Sequence, residues 1–299
     1  MQNITVAPKN PATSRISESG PKILDGKKLA QNIELDLKLK VLELQKRGIF
    51  PTLAVILIGN DPNSHTYVNM KIKASHRCGI KTLKIEKNSI TQADLERKID
   101  ELNADKNIHG ILIQLPLPDP LNAQKILEKI SPNKDVDGFH PYNIGRMQVG
   151  LDALVSATPL GVIALLKHYK IKIKGQNVTI VGASNIIGKP LLALFLHEGA
   201  TPSICHIHTK DLSLFTLQAD ILCVGVGVAN LIKPEMIKPQ TVIIDIGNNR
   251  LKDGRLVGDV SEKAYEKSSF YTPVPGGVGP MTISCLLQNL IKIASKDPQ

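Results

Sequence analysis

Tyr67 and Lys71 lie four residues apart in the segment 64–71, and this spacing could place a phenol beside an ammonium group. On a helix, residues four apart are neighbours on one face, so the hydroxyl could hydrogen-bond the amine and fix its direction. A lysine that is removed from water loses its proton near neutral pH and can then act as a base or activate a water molecule. The pair alone favours the simpler interpretation of a half-buried tyrosine and a solvated lysine on an ordinary helix.

The segments around this pair alternate between helices and strands. Asp25 can cap the first helix, Ser64 can cap the helix that carries the pair, and Thr91 with Asp94 resembles the capping box of a third helix. Strands are predicted at residues 52–59, 80–86 and 108–115, and the first and last of them are continuous apolar runs typical of buried strands. This alternation predicts an α/β domain with a mainly parallel sheet.

Gln114 ends the strand at 108–115 and is followed by Leu115 and Pro116. Ligands of open α/β sheets bind beyond the carboxyl ends of the strands. The helix of the tyrosine–lysine pair follows another such end, so we expect Lys71 and Gln114 to face one cleft. The amide oxygen could accept a hydrogen bond from the lysine while the amide nitrogen contacts a substrate. A strand-end amide that is satisfied by its neighbours is the alternative.

Asp135 and Asp137 flank a valine in the segment 134–139, just before Gly138. Two carboxylates alone make a poor cation site. A carboxylate at the rim of a cleft can instead hold an amino-pyrimidine edge through two hydrogen bonds. An ordinary turn is the simpler interpretation, and the local sequence favours it.

The second half of the chain contains a glycine-rich turn between a strand at 177–181 and an apolar helix that runs to His197. Thr158 and Pro159 begin the helix before it, since proline is tolerated at a first helical position. A strand, a glycine-rich turn and a helix N-terminus can together bind phosphate, although the spacing here is not Gly-x-Gly-x-x-Gly. With Thr158, the candidate cofactor-binding residues of this region are Gly182, Ala183, Ser184, Ile187 and Gly188.

Further strands are predicted at 202–207, 220–225 and 241–246, and their ends add the cofactor candidates Gly225, Gly247 and Asn248. The second strand of a dinucleotide-binding domain usually ends near an acid when the cofactor is NAD. Here His206 and His208 stand at that end and no acid follows until Asp211, which favours NADP. The two histidines could suggest a metal, but no third ligand accompanies them.

The segment 271–282 contains three prolines and three glycines. We expect a rigid loop there, with backbone groups open to a ligand, rather than a helix or a central strand. A last helix at 283–295 could pack back on the first half of the chain.

The composition limits the classes of partner. The 299 residues carry a formal net charge of +10, but the lysines are spread out and lack the aromatic–basic modules of nucleic-acid binders. No apolar run is long enough for a membrane helix, and residues 1–21 form a polar segment that we interpret as a loose tail. We therefore expect neither nucleic acid nor a membrane as partner. The cysteines show no metal-binding spacing and suit a reducing cytoplasm.

Four motifs together resemble those of the bifunctional methylenetetrahydrofolate dehydrogenase/methenyltetrahydrofolate cyclohydrolase family. They are Tyr-x-x-x-Lys at 67–71, Gly-Ile-Leu-Ile-Gln-Leu-Pro-Leu-Pro at 110–118, Lys-Asp-Val-Asp-Gly at 134–138 and Thr-Pro-Val-Pro-Gly-Gly-Val-Gly-Pro-Met-Thr at 272–282. The resemblance extends over residues 23–290 and implies two α/β domains with the active-site cleft between them. An N-terminal three-layer catalytic domain would comprise residues 22–150 and 283–299, and a C-terminal Rossmann-like NAD(P)-binding domain would comprise residues 151–282.

The resemblance implies an enzyme that oxidises 5,10-methylenetetrahydrofolate with NAD(P)+ and hydrolyses the methenyl product to 10-formyltetrahydrofolate in the same cleft. By this likeness Lys71 is the acid and base acting on the attacking water, and Gln114 positions it. Tyr67 would orient the folate and the lysine, and Asp137 would hold the pterin ring. The pocket residues that the resemblance adds are Leu115, Pro116, Pro275, Gly276 and Gly277. It also implies a homodimer formed through the cofactor domain, a cytoplasmic location and no metal.

The cofactor half departs from the family pattern. Ala183 stands where relatives usually have the arginine that serves the 2′-phosphate of NADP, and His208 alters a second phosphate-binding position. Segments 156–159 and 245–249 differ as well. The absent arginine argues against strong 2′-phosphate recognition, whereas the absent acid argues for it, and His208 or Lys210 could substitute. We expect NADP, with NAD as the alternative.

Other interpretations compete with this one. A short-chain-type oxidoreductase also uses Tyr-x-x-x-Lys, but there the dinucleotide turn precedes the pair, whereas here it follows in another domain. A nucleic-acid-binding protein predicts clustered basic residues and steeply salt-dependent binding. A dehydrogenase-only member is a further alternative, and a member that only binds folate is disfavoured because the four cleft residues are retained.

Overall fold

The computed structural model describes residues 20–296, and within them no helix is both long and apolar enough to cross a membrane. Most of the predicted tail at 1–21 therefore lies outside the described residues. The helices are α1 (Gly26–Lys46), α2 (Pro62–Arg77), α3 (Gln92–Ala104), α4 (Ala123–Lys129), α5 (Pro141–Gln148), α6 (Ala157–His168), α7 (Gly188–His197), α8 (Ser213–Thr216), α9 (Glu262–Tyr265) and α10 (Val278–Lys296). The strands are β1 (Lys22–Ile23), β2 (Thr52–Ile58), β3 (Lys81–Lys87), β4 (Gly110–Ile113), β5 (Asn177–Val181), β6 (Thr201–Cys205), β7 (Ile221–Val224), β8 (Val242–Asp245), β9 (Asn249–Arg250), β10 (Leu256–Val257) and β11 (Phe270–Tyr271).

The first half is a three-layer sandwich around a parallel sheet of order β3-β2-β4. Its central strand is apolar on both faces because helices cover both sides. Leu53, Val55 and Leu57 pack with residues of α1, α2 and α10, whereas Ala54, Ile56 and Ile58 pack with α3 and α4. The predicted parallel α/β domain is confirmed.

The second half contains a six-stranded sheet of order β1-β11-β8-β7-β5-β6, in which every neighbouring pair is parallel. The order reverses between β5 and β7, as in dinucleotide-binding folds, and such switch points are where ligands bind. The first strand, β1, pairs here with β11 although it precedes α1 in the chain. Helices α1, α6 and α10 share one apolar core, so the two halves are joined by packing as well as by the chain.

The predicted loop at 271–282 is wrong at its C-terminal end, because α10 begins at Val278 and not at 283. Pro280 occupies the third position of the helix. The first backbone N–H groups of a helix have no partner within it, so a proline there removes no hydrogen bond. Gly276, two residues before the helix, has a φ of +111°, which favours glycine at this position.

Two helix starts also differ from expectation. Asp61, not Ser64, caps α2, since its side chain accepts a hydrogen bond from the Ser64 backbone N–H at 2.7 Å. The helix therefore takes in Pro62, and aspartate is a good N-cap. Ser156, not Thr158, precedes α6, and its hydroxyl donates to the Ile186 carbonyl at 2.6 Å.

Asn289 connects α10 to both halves of the molecule. Its side chain is 4% exposed, and Nδ2 donates to the carbonyl oxygens of Val136 and Val155, each at 2.9 Å. Val136 lies between Asp135 and Asp137, so the last helix holds the acidic loop in place. Buried carbonyl groups need such partners.

We expect Asn289→Leu to lower the free energy of unfolding by about 2–4 kcal/mol, because two buried carbonyl groups lose their donor. The measurement is urea unfolding followed by circular dichroism. Gln288→Leu is the matched control, since Gln288 is its half-buried neighbour on α10. Equal stability of the two variants would contradict the structural role of Asn289.

Candidate functional site

A cavity of about 520 Å³ lies between the two halves. One wall consists of the start of α2 and the end of β4, and the other of the start of α6, the glycine-rich turn and α10. The lining residues are Asp61, Asn63, Ser64, Tyr67, Lys71, Ile113, Gln114, Leu115, Pro116, Asp137, Phe139, Ala157, Thr158, Ile186 and Thr282. The sequence-predicted residues Tyr67, Lys71, Gln114, Leu115, Pro116, Asp137 and Thr158 are thus brought into one site.

Lys71 is oriented by Gln114. The lysine is 8% exposed, and its Nζ donates a hydrogen bond to Gln114 Oε1 at 3.2 Å. The Gln114 Nε2 in turn donates to the Leu115 carbonyl at 2.7 Å, and this bond orients the amide so that its oxygen points to Lys71. The expectation that Lys71 and Gln114 meet across the strand ends is confirmed by this contact.

Asp137 balances the charge of Lys71 in the same cavity. Burial lowers the pKa of the Lys71 amine, and the Asp137 carboxylate acts in the opposite direction. Burial raises the pKa of Asp137 to about 6, while Lys71 lowers it and Asp135 raises it further. A buried lysine and a buried carboxylate with pKa values displaced toward neutrality are typical of acid–base sites.

The loop that carries Asp137 is built around Asp135. The Asp135 carboxylate accepts from the backbone N–H groups of Phe139 and His140, at 3.2 and 2.8 Å, and from Asn143 Nδ2 at 3.0 Å. Gly138 has a φ of +70°, and a Cβ there would lie 2.6 Å from the Ser156 nitrogen. The two acids therefore differ in role: Asp135 folds the loop, and Asp137 faces the cavity.

Tyr67 does not hydrogen-bond Lys71, which corrects the expectation drawn from their spacing. Its hydroxyl accepts a hydrogen bond from Asn248 Nδ2, on the opposite wall of the cleft. Burial raises the pKa of Tyr67, and the bond from Asn248 opposes this rise. The i, i+4 spacing places both side chains on the cleft face of α2. The lysine, however, hydrogen-bonds Gln114, and the tyrosine hydrogen-bonds Asn248 of the second half.

The glycine-rich turn is closely packed. A Cβ on Gly182 would lie 2.4 Å from the Gly225 carbonyl oxygen, and a Cβ on Gly188 would lie 1.8 Å from that of Gly182. Ser184 Oγ accepts from the Ile187 backbone N–H at 3.1 Å. This packing requires glycine at both positions and leaves Ser184 exposed next to the start of α7, while Ala183 is half-buried there.

The second phosphate-binding candidate, His208, is exposed beyond the end of β6. Its backbone N–H donates to His206 Nδ1 at 3.1 Å. The Gly182 N–H donates to the Cys205 carbonyl at 2.9 Å, so this strand end adjoins the glycine-rich turn. Within residues 20–296 no group of three or more His, Cys, Asp or Glu side chains could hold a metal ion.

Two buried carboxylates, neither of them among the candidate site residues, hold the end of β8. Asp245 accepts hydrogen bonds from the backbone N–H groups of Gly247, Asp259 and Val260 and from the Tyr265 hydroxyl. Asp259 in turn accepts from the backbone of residues 226 and 227. A Cβ on Gly247 would lie 2.3 Å from the Asp259 nitrogen, so this glycine serves close packing. The network positions Asn248 toward Tyr67.

Pro275, Gly276 and Gly277 do not line the 520 Å³ cavity. Pro275 and Gly276 line a neighbouring cavity of about 1230 Å³. Gly277 is buried, and its carbonyl would lie 1.9 Å from a Cβ on Gly26, so it packs against the start of α1. Sequence reasoning also missed Ile186 and Phe139 as lining residues, because single apolar side chains beside a turn carry no distinctive pattern.

Comparison with known proteins gives consistent matches over both halves. The family described as tetrahydrofolate dehydrogenase/cyclohydrolase, catalytic domain, matches residues 24–137, and its NAD(P)-binding domain matches residues 156–298. A relative from Nautilia profundicola, named Bifunctional protein FolD, is 55% identical over 274 residues, which are 91% of this chain and 96% of the relative.

Solved structures agree. That of the bifunctional enzyme FolD, methylenetetrahydrofolate dehydrogenase/cyclohydrolase, from Campylobacter jejuni has a TM-score of 0.90 at 50% identity and covers 92% of this chain and 98% of that one. That of the Trypanosoma brucei enzyme, complexed with NADP cofactor and inhibitor, has a TM-score of 0.89 at 34% identity and covers 93% and 98%. With both halves matched in order and nearly the whole length aligned, the chain belongs to the tetrahydrofolate dehydrogenase/cyclohydrolase family.

Proposed function

We propose that this protein oxidises 5,10-methylenetetrahydrofolate to the methenyl form with NADP+ and hydrolyses that product to 10-formyltetrahydrofolate. The observation that carries the proposal is the buried Lys71, hydrogen-bonded to Gln114 and facing Asp137 in a cavity that both halves line. The acid–base group lies on one wall of this cavity, and the dinucleotide-binding half forms the other wall. This arrangement suits two consecutive reactions on one ligand.

In the hydrolysis, Lys71 moves the protons. Burial favours its neutral amine, which takes a proton from water as the oxygen attacks the methenyl carbon. The ammonium then gives this proton to the ring nitrogen as its bond to the carbon breaks, and the added hydroxyl group loses its own proton to solvent as it becomes the formyl carbonyl. Gln114 Oε1 holds Nζ in position through both steps, since it can accept from the neutral and the charged form.

The other cavity residues bind and orient the substrate. Asp137, whose pKa is raised to about 6, is ionised at pH 7 and can accept from the amino group and ring N–H of a pterin. Tyr67 provides a ring face at the mouth of the cavity for the aromatic part of the folate. Leu115 and Pro116 line the cavity beside Gln114.

The second half fits a dinucleotide. The ten-residue α7 follows the glycine-rich turn, and its first turn contains no acid, so its N-terminus suits a phosphate group. We assign the pyrophosphate to residues 182–188 and the ribose and nicotinamide end to Gly225, Gly247 and Asn248. When bound, the cofactor supplies the hydride acceptor. We assign the 2′-phosphate to His208 and Lys210, which follow the strand end next to the glycine-rich turn.

Lys71→Met is expected to fold normally and to reduce hydrolysis of the methenyl substrate by about 10²- to 10⁴-fold, the usual contribution of a positioned acid–base group. Loss of the methenyl absorbance measures the rate. Lys46→Met, on the exposed surface of α1, is the control.

Wild-type hydrolysis in a folded Lys71→Met variant would exclude the assigned role. The wild-type enzyme must in addition form the methenyl product, measured after acid quenching, when it receives methylenetetrahydrofolate and NADP+. If no product forms with either NADP+ or NAD+, the protein is a folate-binding member without catalysis. If the methenyl product forms but is not hydrolysed, the protein is a dehydrogenase only.

Ala183→Arg is expected to lower the KM for NADP+ by about tenfold and to change the KM for NAD+ little, because a guanidinium at the turn can pair with the 2′-phosphate. Initial rates with each cofactor give the two constants. Gln218→Arg adds the same charge at an exposed site on the same domain and serves as the control. Equal effects on both cofactors would remove Ala183 from the phosphate site.

We further propose a homodimer formed through the cofactor domain, a cytoplasmic location, and a supply of one-carbon units for purine, methionine and histidine synthesis. The segment after β6 supports the dimer because it exposes large apolar side chains: Ile207 is 92% exposed, and Leu214 is 62% exposed. Exposed apolar patches of this kind mark interaction surfaces.

Sedimentation equilibrium is expected to give twice the chain mass of 32.5 kDa. Leu214→Glu should shift the equilibrium toward monomer, because a charge would be buried at the interface. Leu39→Glu, at a similarly exposed leucine of α1, should not. A monomeric wild-type protein would refute the dimer.

A further inference from the structure

Asp259 lies behind the ends of two neighbouring strands of the second half, and the proposed chemistry does not use it. The short strands β9 and β10 form an antiparallel hairpin in which Asn249 pairs with Val257. The hairpin turns the chain back, so that Asp259 lies beside Asn249, ten residues earlier in the sequence. A carboxylate that follows β10 is thereby brought to the end of β8.

The Asp259 carboxylate holds segments that follow two different strands. Its Oδ2 accepts hydrogen bonds from the backbone N–H groups of Val226 and Gly227, at 2.6 and 3.0 Å, beyond the end of β7. Its Oδ1 accepts from Asn249 Nδ2 at 2.8 Å, beyond the end of β8. The side chain is 0% exposed. A carboxylate so deeply buried needs such donors, and these three bonds determine where it lies.

Backbone hydrogen bonds attach the stretch around Asp259 to the later part of the segment that follows β7. The Asn230 N–H donates to the Gly258 carbonyl at 3.2 Å, and the Ile232 N–H donates to the Asp259 carbonyl at 3.0 Å. Ile232 and Val260 also form an isolated parallel bridge. Asp259 is therefore fixed by its own backbone next to the loop that its side chain binds.

The first residues of this loop are open to solvent. Val226 is 37% exposed and Val228 is 52% exposed, and a Cβ on Gly227 would meet nothing within 4 Å. Side-chain packing therefore contributes little to the shape of this turn. The two bonds to Asp259 supply the contacts that order it.

We propose that Asp259 is a positioning residue for the dinucleotide, which holds the loops after β7 and β8 in the arrangement that binds the ribose and nicotinamide end. This inference rests on the proposed function, which assigns that end to Gly225, Gly247 and Asn248. Gly225 directly precedes the two residues whose N–H groups Asp259 binds, and Asn248 directly precedes Asn249. Ligands of open α/β sheets bind at these carboxyl ends of the strands.

Loss of the carboxylate should affect the two proposed reactions unequally. The hydrolysis takes place at Lys71 and needs no dinucleotide, whereas the oxidation requires one. A loop without its anchor is competent to bind in only a fraction of the molecules, and the apparent affinity for the dinucleotide falls by that fraction. A saturating dinucleotide orders the loop again, so the change should lie in KM rather than in kcat.

The first test is Asp259→Asn. An amide has only one acceptor oxygen, so it can satisfy the N–H groups of the β7 loop or Asn249, but not both. We expect the KM for NADP+ and the dissociation constant for NADPH to rise at least about tenfold, with kcat and the rate of methenyl hydrolysis within about threefold of wild type. Fluorescence titration gives the NADPH constant in the absence of folate. Asp253→Asn, at an exposed aspartate of the same hairpin, is the matched control.

The second test exchanges the two partners. In Asp259→Asn with Asn249→Asp, the amide oxygen at 259 can face the two N–H groups while its NH₂ group donates to the new carboxylate at 249. We expect the dissociation constant for NADPH to return to within about threefold of wild type. Asn249→Asp alone would place two carboxylates against each other and should weaken NADPH binding.

Unchanged NADPH affinity in a folded Asp259→Asn variant would overturn the proposal. A parallel loss of hydrolysis and NADPH binding would also overturn it, because Asp259 would then serve the fold in general. If Asp259→Asn does not fold, Asn249→Ala removes one of the three contacts and is expected to weaken NADPH binding about threefold, and wild-type affinity in that variant would refute the role. Selective weakening of NADPH binding in an enzyme that oxidises no methylenetetrahydrofolate would uphold the role of Asp259 and refute the proposed reaction.

Discussion

The removal of Lys71 from water is the constraint on which the site depends. An amine that is 8% exposed tends to lose its proton unless partners stabilise the charge. Gln114 supplies a hydrogen-bond acceptor and Asp137 a carboxylate, and each comes from a different element of the sheet edge. Because Asp137 is itself buried, its pKa rises toward neutrality as that of Lys71 falls. Lys71 can therefore exchange protons with a ligand near pH 7, while the Asp137 carboxylate balances its charge.

The surrounding structure mainly preserves this geometry. Asp135 folds the loop that carries Asp137, and Asn289 of α10 attaches the loop to the last helix. On the other wall, the carboxylates of Asp245 and Asp259 accept hydrogen bonds from backbone N–H groups beyond the ends of β8 and β7. Three buried acids therefore have structural tasks close to the one that faces the ligand. The structural acids differ from Asp137 in that their carboxylates accept hydrogen bonds from several N–H donors and are more deeply buried.

The residues of the acid–base site could be predicted because each has a sequence mark: the i, i+4 spacing of Tyr67 and Lys71, and the strand-end position of Gln114. The partner of Tyr67 could not be predicted, since Asn248 comes from the distant half of the chain. Helix starts were wrong where a competing cap was stronger, as with Asp61 before α2, or where proline fits a first turn, as in α10. Four strands of the second sheet could be predicted from their apolar runs, but the insertion of β1 beside β11 had no local signal.

The pairing of Lys22 with Phe270 has a consequence for biosynthesis. The start of the chain finds its strand partner only when the sheet of the second half exists, and the apolar side of α1 is covered only when α10 leaves the ribosome. A nascent first half therefore exposes part of its core throughout the synthesis of the second. Contacts so distant in sequence form late and slowly. The native arrangement of the two halves can therefore be completed only after α10 has been synthesised.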